Sequence, residues 1–227
     1  MAIIRCGRRF GDQLGAIALT ASILGSGAIP VVRGQDSTRP ATPEPQVLCA
    51  FDTEEDLKAW RVEDPYKPIS FTLTTEAGEF KEGKGAAKIR TERDPDYTTG
   101  ALILDIGKID EKRFRGLSVW VYTDKPQPGR LEVALIPSRE GRLPWIDGPF
   151  GGSELGSCIY FATAVTWTGW RELKIPVSVF QTRSGRGGNV RPKLSDVGSL
   201  VLYDATRKGL DIRIDTLRMI EAPDKKK

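Results

Sequence analysis

Two aromatic side chains spaced by two residues, Trp120 and Tyr122, are the strongest ligand-binding signal in the sequence. They fall in Gly116–Tyr122, where Leu117, Val119 and Val121 alternate with Ser118, Trp120 and Tyr122. On a strand that alternation puts the three aliphatic residues on one face and the serine and both aromatics on the other. Flat rings bury large area at little entropic cost and, beside planar polar groups, suit the face of a pyranose ring. The segment Pro137–Ser157 is rich in glycine and carries Arg139, Arg142, Trp145 and Asp147. It reads as a long loop, the kind of segment that often carries function. An aromatic between arginine and aspartate there suits a carbohydrate or a carboxylated sugar.

Catalytic equipment is scarce. The sequence contains no histidine, which excludes Ser-His-Asp and Cys-His nucleophilic sites and His-ligated zinc or iron. Gly185-Arg186-Gly187-Gly188 lacks the following Lys-Ser/Thr of a phosphate-binding loop. Carboxylates are the remaining acid-base groups, with Asp105, Asp147 and Glu154 as candidates. Glycoside cleavage needs two of them facing each other across the bond, and no strand here carries such a pair. They read equally as solvated acids.

The elements that must position these residues are short strands between polar turns. Val47–Phe51 opens the series, followed by a helical turn over Glu54–Trp60 that starts after Asp52-Thr53. Strands are expected at 70–75, 86–91, 101–106, 116–122, 131–136, 158–164, 171–175, 199–203 and 212–219. About ten strands with hardly any helix indicate an all-β, antiparallel sandwich of jelly-roll type. Trp60, Trp167 and Trp170 read as structural.

Ahead of the strands, residues 1–34 read as a secretory signal peptide. Arg5, Arg8 and Arg9 form a basic start, and Leu14–Val32 is apolar but interrupted by glycines and Pro30. An uncleaved membrane anchor is the alternative. Residues 35–46, QDSTRPATPEPQ, read as a linker rich in Pro, Ser and Thr. The binding domain is expected at 47–221 and a basic tail at 222–227. The formal net charge of +4 owes much to the leader: without residues 1–34 the chain keeps 30 basic and 29 acidic side chains. These are interspersed, which argues against a nucleic-acid partner. Without the leader no further span is long enough to cross a membrane. Cys49 and Cys158 remain, either as a disulfide or as two buried thiols.

The run Trp167–Phe180, WTGWRELKIPVSVF, leads to an apolar strand at Ser199 and a closing strand with Ile214-Asp215. With Ala50-Phe51-Asp52, Glu82-Gly83-Lys84-Gly85-Ala86 and the Gly116–Tyr122 strand, it resembles galactose-binding-like β-sandwich domains. Family-11-type carbohydrate-binding modules and CIA30-type domains are the nearest named groups. The resemblance spans about Cys49 to Ile220. It implies a binding role without catalysis. It also implies binding tyrosines at Tyr203 and, by a weaker match, Tyr160, and a structural calcium near Asp52, the Glu82–Ala86 turn and Asp215. Calcium takes carboxylate and carbonyl oxygens. The family commonly has Glu where this chain has Asp52, and the alternative is that Asp52 caps the following helical turn while Asp215 accepts backbone amides.

The expectation is therefore an exported protein, secreted or held in the periplasm or cell envelope, that binds a polysaccharide or other glycan. The ligand-binding candidates are Trp120, Tyr122, Trp145, Tyr160, Tyr203, Arg139 and Asp147. The metal candidates are Asp52 and Asp215. A CIA30-like assembly module with a protein partner is the second reading, and a carboxylate-dependent glycan-cleaving enzyme the third.

Overall fold

The computed structural model describes residues 45–63, 69–92, 101–137, 158–183 and 191–222. Every element below lies in the unit spanning 41–227. In chain order the strands are β1 (Gln46–Cys49), β2 (Trp60–Glu63), β3 (Ser70–Thr74), β4 (Ala86–Thr91), β5 (Ala101–Asp105) and β6 (Phe114–Thr123). They continue with β7 (Arg130–Pro137), β8 (Cys158–Ala164), β9 (Gly169–Pro176), β10 (Gln181–Arg183), β11 (Val197–Asp204) and β12 (Leu210–Glu221). One helix, α1 (Glu54–Lys58), follows β1. The first sheet has the order β3-β4-β12-β6-β9, with β1 paired to the C-terminal half of β12; the second has the order β10-β8-β7-β11-β5-β2. All pairings are antiparallel, as expected of the sandwich. β2 and β10 go beyond the expected strands. They have four and three residues, too short for alternation to show in the sequence.

The local chemistry follows the sequence. Thr53, rather than Asp52, caps α1: its hydroxyl accepts the Asp56 amide at 3.3 Å while the Asp56 carboxylate accepts the Thr53 amide at 3.0 Å. This reciprocal pair satisfies two amides at the start of a helix too short to stand alone. Leu57 anchors the turn in the core. Phe51 sits at φ 59, fully buried, with its ring stacked on Trp60 at 5.7 Å between centroids. That burial holds a backbone conformation that costs a non-glycine residue about 1–3 kcal/mol.

Between the sheets lies the main core. Leu117, Val119 and Val121 of β6 enter it from the first sheet, as their alternation predicts. From the second sheet come Leu102 and Leu104, Leu131, Val133 and Leu135, and Leu200 and Leu202. The intervening residues of these strands point the other way and form a second apolar cluster: Ala101, Ile103, Ala134, Ile136, Val201 and Tyr203, with Cys158. β11 is consequently buried along its whole length. Cys49 and Cys158 are free buried thiols in these two different clusters. Cys49 accepts the Trp60 indole N–H at 3.4 Å, and burial pushes the Cys158 thiol up to about 11. Among the described residues no helix is long and apolar enough to cross a membrane.

Candidate functional site

The fold separates the sequence-derived candidates. Trp120 and Tyr122 lie on the outer face of the first sheet, and Tyr160 and Tyr203 on the outer face of the second. Arg139, Trp145 and Asp147 lie outside the described residues.

On the first sheet a bulge sets the geometry. Asp215 pairs with Trp120 and Arg218 with Ser118, so β12 spends an extra residue between them, with Thr216 at φ 37. Such a bulge re-aims side chains, and here Asp215 and Arg218 share one face. The turn after β3 folds onto that face. Asp215 accepts the amides of Lys81 and Glu82 at 2.6 and 2.7 Å. Glu82 accepts the Trp120 indole N–H at 2.7 Å and the Arg218 guanidinium, and the Arg218 bond holds its carboxyl below the usual range. Lys81 Nζ sits 5.0 Å from the Trp120 ring centroid. The Tyr122 ring has the Arg213 guanidinium 4.5 Å away and Trp170 at 5.3 Å, tilted by 57°. Its hydroxyl donates to Asp124 at 2.7 Å, which raises its pKa. Arg213 and Lys88 both pair with Glu79, at 2.8 and 2.6 Å, and Glu172 accepts the Ser118 hydroxyl. The aromatics thus face outward as expected, but each has a cation over its ring and a carboxylate on its polar atom.

The same turn tests the calcium expectation. Asp52 accepts the Lys84 amide, and Asp215 accepts two amides and the Thr216 hydroxyl. The groups converging on these carboxylates are N–H and O–H donors, whereas calcium requires oxygen ligands, usually six to eight. Gly83, at φ +61, leaves no room either, since a Cβ there would lie 2.2 Å from Asp52 Oδ1. Among the described residues no group of three or more acidic or cysteine side chains is placed to hold a metal. In this arrangement the residues present do not fit the ion.

On the second sheet the register builds a different site. Tyr160 lies beside Gln181 on β10 and Ala134 on β7. Glu132 lies between Ala162 on β8 and Tyr203 on β11. Glu132 is 1% exposed, and its carboxylate accepts the Tyr203 hydroxyl and, at 2.9 Å, Arg183 Nη2. Arg183 Nη1 also donates to the Tyr203 oxygen. The guanidinium is held 4.2 Å from the Tyr160 ring centroid, and the Tyr160 hydroxyl donates to Gln181 Oε1 at 2.9 Å. Burial and the Glu132 charge push the Tyr203 phenol well above its ordinary range. Ile103, Ala134 and Val201 are closed to solvent. The accessible part of the site is therefore the β8–β10 margin, with Gln181 exposed, Tyr160 half-buried and the Arg183 side chain 40% exposed. At the opposite margin Asp105 accepts the Ser199 hydroxyl at 2.9 Å and pairs with Arg61 at 3.3 Å.

Sequence reasoning reached the two tyrosines through resemblance and missed Arg183, Gln181 and Glu132. For Glu132 there was a signal: it is the lone charge inside the apolar run Leu131–Ile136. A buried carboxylate needs a cationic or hydrogen-bonding partner. Nothing local pointed to Arg183, which reaches Glu132 across 51 residues of sequence.

No protein-family model matches the chain, and no curated protein does. Solved structures do. The family 11 carbohydrate-binding module of the cellulosomal cellulase Lic26A-Cel5E of Clostridium thermocellum superposes with a TM-score of 0.57 at 14% identity, over 79% of this chain and 95% of the module. The Clostridium thermocellum family 11 module in complex with a β-1,3-1,4-mixed-linked tetrasaccharide gives 0.58 at 13% identity, over 78% and 95%. The solution structure of CtCBM11 gives 0.55 at 12%, over 82% and 99%. Across the described residues, then, this chain has the antiparallel β-sandwich fold of family 11 carbohydrate-binding modules.

Proposed function

We propose that the protein is an exported, non-catalytic glycan-binding module and that the glycan docks at the β8–β10 margin of the second sheet. The observation that carries this reading is the Arg183 guanidinium held over the Tyr160 ring and locked from below by Glu132 and Tyr203. A guanidinium has five N–H donors in a fixed fork. Two bonds go to the buried Glu132 and Tyr203, and the Arg183 side chain stays 40% exposed on the strand that carries the exposed Gln181. Donors fixed before the ligand arrives lose little entropy on binding. The tetrasaccharide bound by one fold neighbour makes a glycan the natural ligand class to test.

Catalysis is disfavoured on the same chemistry. The raised Tyr203 phenol is a poor nucleophile, and Glu132 is buried and already engaged. No second carboxylate faces it across an open cleft among the described residues, as glycoside hydrolysis would need. We further propose that backbone amides, and not calcium, close the turn at Asp52 and Asp215.

The test is a glycan array probed with the full chain and with Arg183→Ala. Retained binding on the wild type and at least about tenfold weaker binding by the variant are expected, the value of one or two charge-assisted hydrogen bonds. Equal binding by both proteins would remove the β8–β10 margin from the site.

A further inference from the structure

Arg130 brings a second guanidinium to the same margin. It pairs with Ala164 across β7 and β8, is exposed, and its Nη2 donates to the Ala162 carbonyl at 3.3 Å. Arg183 reaches the same level from the other side, because the Glu132 it binds is the register partner of Ala162. The two guanidinia are therefore anchored on one register pair, Arg130 on the Ala162 carbonyl and Arg183 on the Glu132 carboxylate, beside the exposed Ala164. One carboxylate, Glu132, lies beneath them, so two positive charges face one negative. Asp204 does not change this balance. It sits one residue from Tyr203 and so points to the opposite face of β11, where its oxygens accept the amides of Arg130, Thr206 and Gly209.

Resting on the glycan reading above, we propose that this site selects an acidic glycan, one whose uronic-acid carboxylate sits between Arg130 and Arg183 above Ala162. Planar forks bind carboxylates in a bidentate manner. Among the described residues, Glu132 is the acidic side chain bonded to this pair of guanidinia, and both are partly exposed.

The experiment compares an oligogalacturonate with the neutral galactose oligomer of the same length and linkage, on an array that also holds sulfated and neutral glucans. Titrations in low and high salt follow for the glycans that bind. Uronate glycans are expected to bind about tenfold tighter than their neutral counterparts at low salt, with the gap closing at 1 M salt. Arg130→Gln should bring the uronate-to-neutral affinity ratio close to one while the melting temperature stays put, since the Arg130 side chain is exposed. Preference for neutral glycans, or for sulfated glycans alone, overturns the carboxylate assignment and leaves the glycan reading standing. Binding to no glycan on the array overturns both.

Discussion

The two outer faces of this sandwich use the same residue types to opposite ends. On the first sheet, Trp120 and Tyr122 are bracketed by Lys81, Arg213, Arg218 and their carboxylates. Every cation named there except Lys81, which lies over Trp120, has an acidic partner within reach. The face is polar and laced with ion pairs, and among the described residues it leaves two buried donors beside Tyr122, Arg213 Nε and Trp170 Nε1, without a hydrogen-bond partner. On the second sheet the residues beneath the margin are apolar and closed to solvent. There the ionic pair Glu132–Arg183 joins a carboxylate that is 1% exposed to a half-exposed guanidinium lying over the Tyr160 ring. On the first face the Arg213–Glu79 and Arg218–Glu82 pairs have both members partly exposed, at 17–34% of their side chains, whereas Glu132 is closed to solvent. A pair with a buried member is costly to break and holds its members in one geometry. The two faces therefore differ in what fixes their exposed groups: mutual pairing on the first, a buried acid on the second.

That contrast can be broken by cutting one carboxylate on each face. Glu132→Ala should destabilise the fold by about 2–3 kcal/mol, because the Tyr203 hydroxyl and the Arg183 guanidinium lose their buried acceptor. Glu82→Ala should cost about 1 kcal/mol or less, because Glu82 and Arg218 both touch solvent. Denaturant unfolding of the two variants measures the difference, and equal losses would erase the distinction. Next in size, Gly116→Ala should lose about 1–3 kcal/mol. Its φ is 151°, and a Cβ would lie 2.2 Å from the Ile175 carbonyl oxygen of β9, so the cost falls on the β6–β9 pairing.

The first face can be sharpened by pH. Hydrogen bonds from Lys88 and Thr74 lower Glu79 to about 2. Between that value and the unfolded one near 4.3, the unfolded chain binds more protons, so this stability is present above the window and is lost as pH falls through it. Asp215 works the other way. Burial raises its pKa against the amides of Glu82 and Lys81, so its contribution falls as pH rises above the unfolded value near 3.9. Melting temperature followed from pH 5 to 2 should fall in the wild type and fall less steeply in Glu79→Gln. A parallel loss in both proteins would take Glu79 out of the account. The smallest effect is reserved for calcium. With amides already filling Asp52 and Asp215, melting in chelator and in millimolar calcium should agree within a degree. A rise of several degrees with calcium would mean that the turn refolds with carbonyls facing inward.

Much of the fold was legible in the sequence. Alternation in Gly116–Tyr122 assigned both faces of β6 correctly, and the Thr53–Asp56 spacing marks the start of α1. The runs in β5, β7 and β11 also carried information. Strands apolar on both parities, such as Leu131–Ile136, signal burial on both faces, and Glu132 inside one of them marks a place that needs a partner. The β10 strand and Arg183 were not legible, since three residues show no period and the partner is remote in sequence.

The sequence by itself determined the strand pattern, the absence of histidine chemistry and which residues turn away from the core. Those follow from local alternation and composition, which act over a few residues. Only the tertiary structure decided that Trp120 and Tyr203 lie on opposite sides of the molecule, that cations cover the first pair of rings, and that Arg183 meets Glu132 over Tyr160. Those outcomes depend on strand order and register, set by packing two sheets around one core, and no window of sequence contains them.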